Sequence, residues 1–285
     1  MTAQILDGKV ASAAIKDELR ERVAKLADRG IVPGMATVIV GDDPASHAYV
    51  RMKHKACAAI GLASFNHELP GDASRETVLE RIAELNADGA VDGYLIQLPV
   101  PRHLDSFELL MAVDPDKDAD GLHPVNLGRL ALGAPGPRPC TPVGIQELLS
   151  RNGIEISGTH VVCVGRGTTI GRPLSMLLTL KEPRANATLT QCHTGTSDLG
   201  RFTRQADILV AAAGVPGLIT ADMVSPGTVV VDVGSTRTEA GPIGDVAPEV
   251  AEVASWLAPI PGGVGPMTIA LLLSNAVEAA ERRPR

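Results

Sequence analysis

Ser46, Tyr49 and Lys53 are separated by three and four residues, which places a hydroxyl, a phenol and an amine on one face of a helix. The helix would start at the carboxyl end of a strand, where open α/β sheets bind ligands. On spacing alone, a solvated mixed polar face is the simpler account, and the adjacent His54 and Lys55 read as solvated residues. A second polar group, Gln97, ends the apolar run Gly93-Tyr94-Leu95-Ile96 and precedes the X-Pro bonds at Pro99 and Pro101. X-Pro bonds can be cis, and a cis bond here would fix how the chain leaves the strand. A third cluster, Asp116-Lys117-Asp118-Ala119-Asp120-Gly121, sets three acids around one lysine. The lysine in their midst, with His123 the only imidazole nearby, argues against magnesium or calcium. An Asp- and Gly-rich turn is the alternative.

A different chemistry is suggested further on. The apolar run His160 to Val164 leads into Gly165-Arg166-Gly167-Thr168-Thr169-Ile170-Gly171, and a helical pattern follows. Glycines in such a turn admit close backbone approach, and the helix N-terminus favours phosphate. The spacing is one residue longer than the usual dinucleotide fingerprint, and a plain strand-to-helix turn accounts for it equally well. The next strand ends at Cys192-His193-Thr194, without the acid that commonly binds a ribose 2′-hydroxyl. With Arg166 in the turn, a 2′-phosphate and hence NADP is favoured, because a guanidinium fork matches phosphate oxygens.

These residues need elements to hold them. The pattern predicts helices over Val10–Leu26, residues 44–60, Ser74–Asn86 and Ser106–Val113, alternating with strands at Ala36–Val40, Ala63–Leu69 and Val91–Gln97. Asp114 to Gly144 is rich in Pro and Gly and reads as an inter-domain crossing. It ends in a helix through Ser150, with Thr141 as N-cap and Pro142 in first position. The α/β rhythm then resumes. Strands are predicted at His160–Val164, Ala187–Cys192, Ile208–Ala212 and Thr228–Val233, helices at Ile170–Leu180 and Met267–Ala280. Alternation of this kind argues for parallel sheets in an α/β fold.

The bulk numbers narrow the function. A length of 285 residues suggests two domains, and 45% hydrophobic residues are enough for ordinary cores. Aromatics at 2% and a net charge of -7 exclude a basic nucleic-acid footprint with stacking platforms. The four cysteines, Cys57, Cys140, Cys163 and Cys192, contain no C-x-x-C pair and read as scattered reduced thiols. Asp7 interrupts the N-terminus before any long apolar run, so neither a secretory leader nor a membrane span is expected and the protein reads as cytoplasmic.

Taken in order, several segments resemble the bifunctional methylenetetrahydrofolate dehydrogenase/cyclohydrolase family, and the resemblance covers nearly the whole chain. They are Tyr49-Val50-Arg51-Met52-Lys53, Gln97-Leu98-Pro99-Val100-Pro101, Lys117-Asp118-Ala119-Asp120-Gly121 and Cys140-Thr141-Pro142-Val143-Gly144, then the Gly165 turn and Pro261-Gly262-Gly263-Val264-Gly265-Pro266-Met267-Thr268. The Gln-Leu-Pro segment and the last loop are the specific ones.

The resemblance implies an α/β protein of two domains: a folate-binding catalytic domain, residues 1–140 plus 266–285, and a Rossmann-type NADP-binding domain, residues 141–265. The C-terminal helix would pack back on the first. It implies oxidation of 5,10-methylenetetrahydrofolate by NADP, then hydrolysis of the methenyl cation to 10-formyltetrahydrofolate. Lys53 would be the catalytic lysine, Tyr49 would pack on the folate, Gln97 would hydrogen-bond Lys53, and Asp120 would hold the pterin amino edge. Gly262, Gly263 and Pro266 would wall the folate pocket. Gly165, Arg166, Gly167, Thr194 and Ser235 would serve the cofactor. The partners implied are tetrahydrofolate derivatives and a second copy of the chain, in a homodimer formed through the nucleotide domains.

Physical chemistry fits these roles. A lysine is a usable base only where its ammonium is disfavoured by desolvation or a nearby cation. The methenyl product is itself cationic, so its arrival favours the neutral amine. Some positions depart from the family pattern: Gly167 stands where serine is usual, Thr194-Gly195 where Ser-Lys is common, and Ser235 where an aliphatic residue is common, while Ala119 and Val100 are mild changes. The first two remove a hydroxyl and a positive charge near the expected 2′-phosphate. One rival reading, an amino-acid or shikimate-type dehydrogenase, does not predict Gln97-Leu98-Pro99 or the Pro261–Thr268 loop; another, a non-catalytic NADP sensor, leaves Tyr49, Lys53, Gln97 and Asp120 without a role.

Overall fold

A computed structural model describes residues 2–239 and 241–283. The chain divides into two compact units, one of Met1–Ala13 with Pro139–Thr268 and one of Ala14–Arg138 with Ile269–Arg285.

The chain opens with strand β1 (Gln4–Ile5) and helix α1 (Gly8–Ala27). It then alternates β2 (Gly34–Val40), α2 (Pro44–Ile60), β3 (Ala63–Leu69), α3 (Arg75–Ala87), β4 (Gly93–Ile96) and α4 (Ser106–Ala112). β2 lies between β3 and β4 in an all-parallel sheet, with Val40 beside Leu69 and Val38 beside Ile96. Every β2 residue is buried, as in a strand covered on both faces. Ala36, Val38 and Val40 share a core cluster with Val78, Ile82 and Tyr94.

Local signals set the ends of α2. Pro44 occupies the first turn, where its missing N–H costs nothing; the Asp43 carboxylate accepts from Ser46 N at 2.8 Å; Gly61 closes the helix at φ 83°. The stretch from Asp114 to Gly144, expected as an irregular crossing, instead contains α5 (Pro124–Ala131). Proline composition conceals a helix when the proline sits in its first turn, and here His123 Nδ1 caps it by accepting from Val125 N at 3.1 Å. Helix α6 (Cys140–Arg151) begins ahead of Thr141. Pro139 takes the cap position without a side-chain bond, and the Thr141 hydroxyl meets that of Thr268 at 3.1 Å instead.

Next come β5 (His160–Val164), α7 (Gly171–Leu178), β6 (Thr188–Cys192), α8 (Leu199–Thr203), β7 (Ile208–Ala211) and β8 (Val229–Asp232). An antiparallel hairpin of β9 (Thr236–Thr238) and β10 (Gly241–Ile243), then β11 (Trp256–Ala258) and α9 (Val264–Glu281), complete the chain. Six parallel strands form one sheet in the order β1-β11-β8-β7-β5-β6. The chain steps from β5 to β6 on one side and then to β7 on the other. That reversal makes the carboxyl ends of β5 and β7 the crevice where ligands of such sheets bind. The expected two-domain α/β architecture, with a Rossmann-type second domain, is what the chain forms.

Residues 2–13 group with the six-stranded unit. Gln4 and Ile5 pair with Trp256 and Leu257, and Gly8 N donates to Gly262 O at 2.9 Å. From Ile269 onward α9 belongs with the three-stranded unit. The Asn275 amide donates to the carbonyls of Ala119 and Arg138, both at 2.9 Å, and Arg22 pairs with Glu281. Among the described residues no helix is long and apolar enough to cross a membrane.

Candidate active site

Lys53 and Gln97 meet at the carboxyl edge of the three-stranded sheet. α2 leaves β2 through the Asp43-capped turn, which sets its first residues at that edge, and Lys53 follows Tyr49 by one turn. Gln97 comes directly after β4, its own N–H donating to Val38 O at 2.8 Å. Lys53 Nζ donates to Gln97 Oε1 at 3.0 Å, and Gln97 Nε2 donates to Leu98 O at 2.8 Å. The Leu98–Pro99 bond is cis. Tyr49 is 45% exposed and Leu98 56%, so apolar surface is open to a ligand here. Ser46 turns out not to share this surface. It is buried, and its hydroxyl donates to Asp43 within the cap.

Asp120 is the fourth member. Burial pushes its carboxyl above the ordinary carboxylate range, the nearby Lys53 charge opposes that, and Asp118 reinforces it. The segment carrying Asp120 is held by its neighbours. The buried Asp118 carboxylate accepts from Gly121 N at 3.0 Å, His123 N at 2.7 Å and the Asn126 amide at 3.0 Å. Ala119 N bonds Tyr94 O at 3.2 Å, and the Asn275 amide holds Ala119 O. Lys117 Nζ donates to Leu85 O at 3.0 Å and Asp88 O at 2.8 Å, near the end of α3, while Asp116 pairs with Arg129. The acidic cluster is thus a turn that presents one carboxyl, Asp120, and uses the others as scaffold.

Two of these supports were not legible as such. Asn275 is a polar residue inside the apolar run of α9, and that mismatch was the available signal. His54, read as solvated, is half-buried, with Nε2 3.0 Å from Thr37 Oγ1. Thr37 Oγ1 in turn donates to Asn66 Oδ1 at 3.0 Å, so its hydroxyl accepts from the imidazole. Burial and the Lys53 charge both push the His54 imidazole below its ordinary range, with Asn66 opposing. A neutral imidazole packed behind Lys53 anchors α2 to β2 and β3.

The remaining predicted residues lie in the six-stranded unit. Gly165, Arg166 and Gly167 follow β5, Thr194 follows β6, and Ser235 follows β8; all but Gly165 are exposed. Gly165 has φ 129°, and a Cβ there would stand 2.1 Å from Ala212 O. A Cβ on Gly171 would stand 2.3 Å from Gly165 O. Those two positions need glycine for close approach, whereas Gly167 faces open space. The first turn of α7 carries no side-chain cap; Arg172 N donates to Gly167 O at 3.1 Å, which ties the glycine turn to the helix start, and Pro173 brings no N–H. Gly262, Gly263 and Pro266 also belong to this unit. Gly262 has φ 109°, and Gly263 is so close to α1 that a Cβ on Gly8 would reach 1.6 Å from its oxygen.

Residues 6–120 match the model for the catalytic domain of tetrahydrofolate dehydrogenase/cyclohydrolase, and residues 139–284 match the model for its NAD(P)-binding domain. The chain belongs to the tetrahydrofolate dehydrogenase/cyclohydrolase family. Among solved members, the bifunctional FolD enzyme of Campylobacter jejuni is 43% identical over 99% of this chain and 100% of that one, with a TM-score of 0.95. The 5,10-methylenetetrahydrofolate dehydrogenase of Bombyx mori is 41% identical over 98% of each chain, with a TM-score of 0.92. The dehydrogenase-cyclohydrolase of Trypanosoma brucei, solved with NADP cofactor and an inhibitor, is 38% identical over 99% of this chain and 98% of that one, at 0.91. Tetrahydrofolate dehydrogenase/cyclohydrolase membership makes the three-stranded unit catalytic and the six-stranded unit nucleotide-binding, and it makes the chain an enzyme.

Proposed function

We propose that the chain oxidises 5,10-methylenetetrahydrofolate to its methenyl cation with NADP and then hydrolyses that cation to 10-formyltetrahydrofolate, with Lys53 as the catalytic lysine. One observation carries this reading: Lys53 Nζ donates to Gln97 Oε1 at 3.0 Å, at a sheet edge with Tyr49 exposed a turn away. An amine oriented by a neutral acceptor, beside a half-buried carboxyl and an open aromatic face, suits a substrate that becomes cationic.

Bound NADP supplies the hydride acceptor for the first step. Its phosphates fit the Gly165 turn, because glycine at 165 and 171 lets the backbone pack closely between a strand end and a helix start. Arg166 is the candidate for a 2′-phosphate, with Thr194 and Ser235 further along the same sheet edge. In the chain's own part of the oxidation, Tyr49 packs on the folate ring and Asp120 accepts from the pterin amino edge. Both orient the one-carbon bridge as it loses hydride. In the hydrolysis, the cation disfavours the ammonium of Lys53, and the neutral amine takes a proton from the attacking water. Gln97 can accept from either form, so it holds the nitrogen through the change. The bond from the one-carbon unit to one ring nitrogen then breaks: that nitrogen takes the proton back from the Lys53 ammonium, and the hydroxyl of the adduct releases its own proton to water as it becomes the formyl carbonyl.

On the same reading, Gly262, Gly263 and Pro266 wall the folate pocket, and two copies of the chain associate through their nucleotide domains. The deciding experiment supplies methylenetetrahydrofolate and NADP, then follows the methenyl chromophore and NADPH. Both should appear with the wild type. Lys53→Met should abolish decay of supplied methenyltetrahydrofolate; a full hydrolysis rate in that variant would overturn the role of Lys53.

A further inference from the structure

We propose that Asp245 is a positioning residue for the dehydrogenase half-reaction, holding the backbone after β7 that backs the Gly165 turn. The inference rests on the NADP reading above. Three consecutive amides after β7 converge on this one carboxylate: Ala213 N at 2.6 Å and Gly214 N at 2.9 Å on Oδ2, and Val215 N at 2.7 Å on Oδ1. Successive N–H groups of this kind form an anion-binding concavity. Here a side chain from 30 residues further along fills it.

Asp245 is itself fixed by a second carboxylate. Asp232, the last residue of β8, accepts from Asp245 N at 2.9 Å and from Val246 N at 3.1 Å. Both aspartates are buried. Burying a carboxylate is costly unless hydrogen bonds replace its water, and five backbone N–H groups do so here. The chain leaves space for both carboxylates. A Cβ on Gly234 would stand 2.0 Å from the Asp245 carboxyl carbon, and one on Gly244 would stand 1.8 Å from Asp232 Oδ2.

What the clamp holds is the wall of the cofactor turn. The carboxyl end of β7 borders β5 at the reversal of strand order, and Ala212 O is the atom that a Cβ on Gly165 would strike. The loop after β8 is tied to the same place, since Val233 N and Gly234 N both donate to Ala211 O, at 2.8 and 3.0 Å, just ahead of Ser235. Asp245 therefore registers two loops that flank the crevice without needing to touch the cofactor.

The test is Asp245→Asn, which keeps the shape and turns one acceptor into a donor facing backbone N–H groups. NADP affinity measured by titration calorimetry, and KM for NADP in the oxidation, should each worsen about 10- to 100-fold, the size of a lost charged acceptor. Hydrolysis of supplied methenyltetrahydrofolate should stay within about twofold of wild type, since Lys53 and Gln97 lie in the other unit. Exchange of the Ala213 to Val215 amides should quicken. Unchanged NADP affinity in a folded variant would overturn the proposal, and so would equal loss of both activities. If the variant does not fold, Asp245→Glu keeps the charge and both acceptor oxygens but displaces them by one methylene, with the same expected split and the same overturning results. A wild type that binds NADP but oxidises no folate would instead overturn the proposed function, leaving the affinity comparison to judge Asp245.

Discussion

Lys53 and Gln97 lie 44 residues apart in the chain, yet their side chains meet at 3.0 Å with the ammonium nitrogen donating to the amide oxygen. The amide has one sensible orientation. Its Nε2 donates to Leu98 O, so exchanging nitrogen and oxygen would oppose two donors at one end and two acceptors at the other. The lysine thus faces an acceptor that carries no charge, and a neutral acceptor holds the nitrogen without committing it to the ammonium form.

That neutrality is testable by Gln97→Glu. A carboxylate in the same place favours the charged amine by ion pairing, in the range of about 1.5–3 kcal/mol for a charged hydrogen bond. Hydrolysis of methenyltetrahydrofolate near neutral pH should fall about 10- to 100-fold, and its pH profile should move to higher pH. A profile that superimposes on wild type would show that Lys53 does not act as the base.

Gly165→Ala should separate the two activities. The new Cβ would lie 2.1 Å from Ala212 O, a backbone atom, on a residue at φ 129°. Neither the backbone conformation nor the contact tolerates it, so the turn must move. NADP binding and oxidation should fall at least about tenfold, as for the loss of one good contact, while hydrolysis persists. Calorimetric titration with NADP and the methenyl decay assay give the two readings.

Asp43→Ala removes the cap that starts the helix carrying Tyr49 and Lys53. The Asp43 carboxylate accepts from both the backbone and the hydroxyl of Ser46. Loss of such a cap costs about 1 kcal/mol. The urea midpoint should fall accordingly, and KM for the folate should rise because the frayed turn leads directly into Tyr49. A lower midpoint with unchanged kinetics would confine Asp43 to stability.

Much of this could be read from the chain because its signals are local. Asp43, Pro44 and Gly61 punctuate α2 by themselves, and the β3 limits of Ala63–Leu69 coincide with the sequence reading. What escaped depends on distant partners. β1 has two residues and exists because Trp256 and Leu257 pair with it. α5 lay hidden under a proline composition that looks like a crossing. Thr141 resembled a cap, but Thr268 claims its hydroxyl. At the site, Lys53 and Gln97 were legible through a resemblance, and the contact between them is now explicit. Asp232 falls in Val231-Asp232-Val233-Gly234, a strand end that could line the crevice, but its bonds to Asp245 and Val246 were not legible, because each of the two aspartates holds a loop from another part of the chain.

Asp232 yields a prediction whose sign follows from its surroundings. Burial pushes its carboxyl up to about 6 from an ordinary 3.8; the N–H groups of Asp245 and Val246 oppose this, and the charge of Asp245 adds to it. Between those two values the folded chain binds more protons at this group than the unfolded chain does. Its stabilising contribution is therefore complete below about pH 4 and is lost as the pH rises through about 6. Asp232→Asn removes the titration and keeps one acceptor. The stability of wild type minus that of the variant, from urea unfolding at pH 4 through 7, should decline by at most about 3 kcal/mol across that window, at about 1.4 kcal/mol per unit. Carboxylates outside the Asp232–Asp245 pair titrate alike in both proteins and cancel in the difference. A difference that is flat with pH, or that grows as the pH rises, would mean that the hydrogen bonds from Asp245 and Val246 outweigh burial.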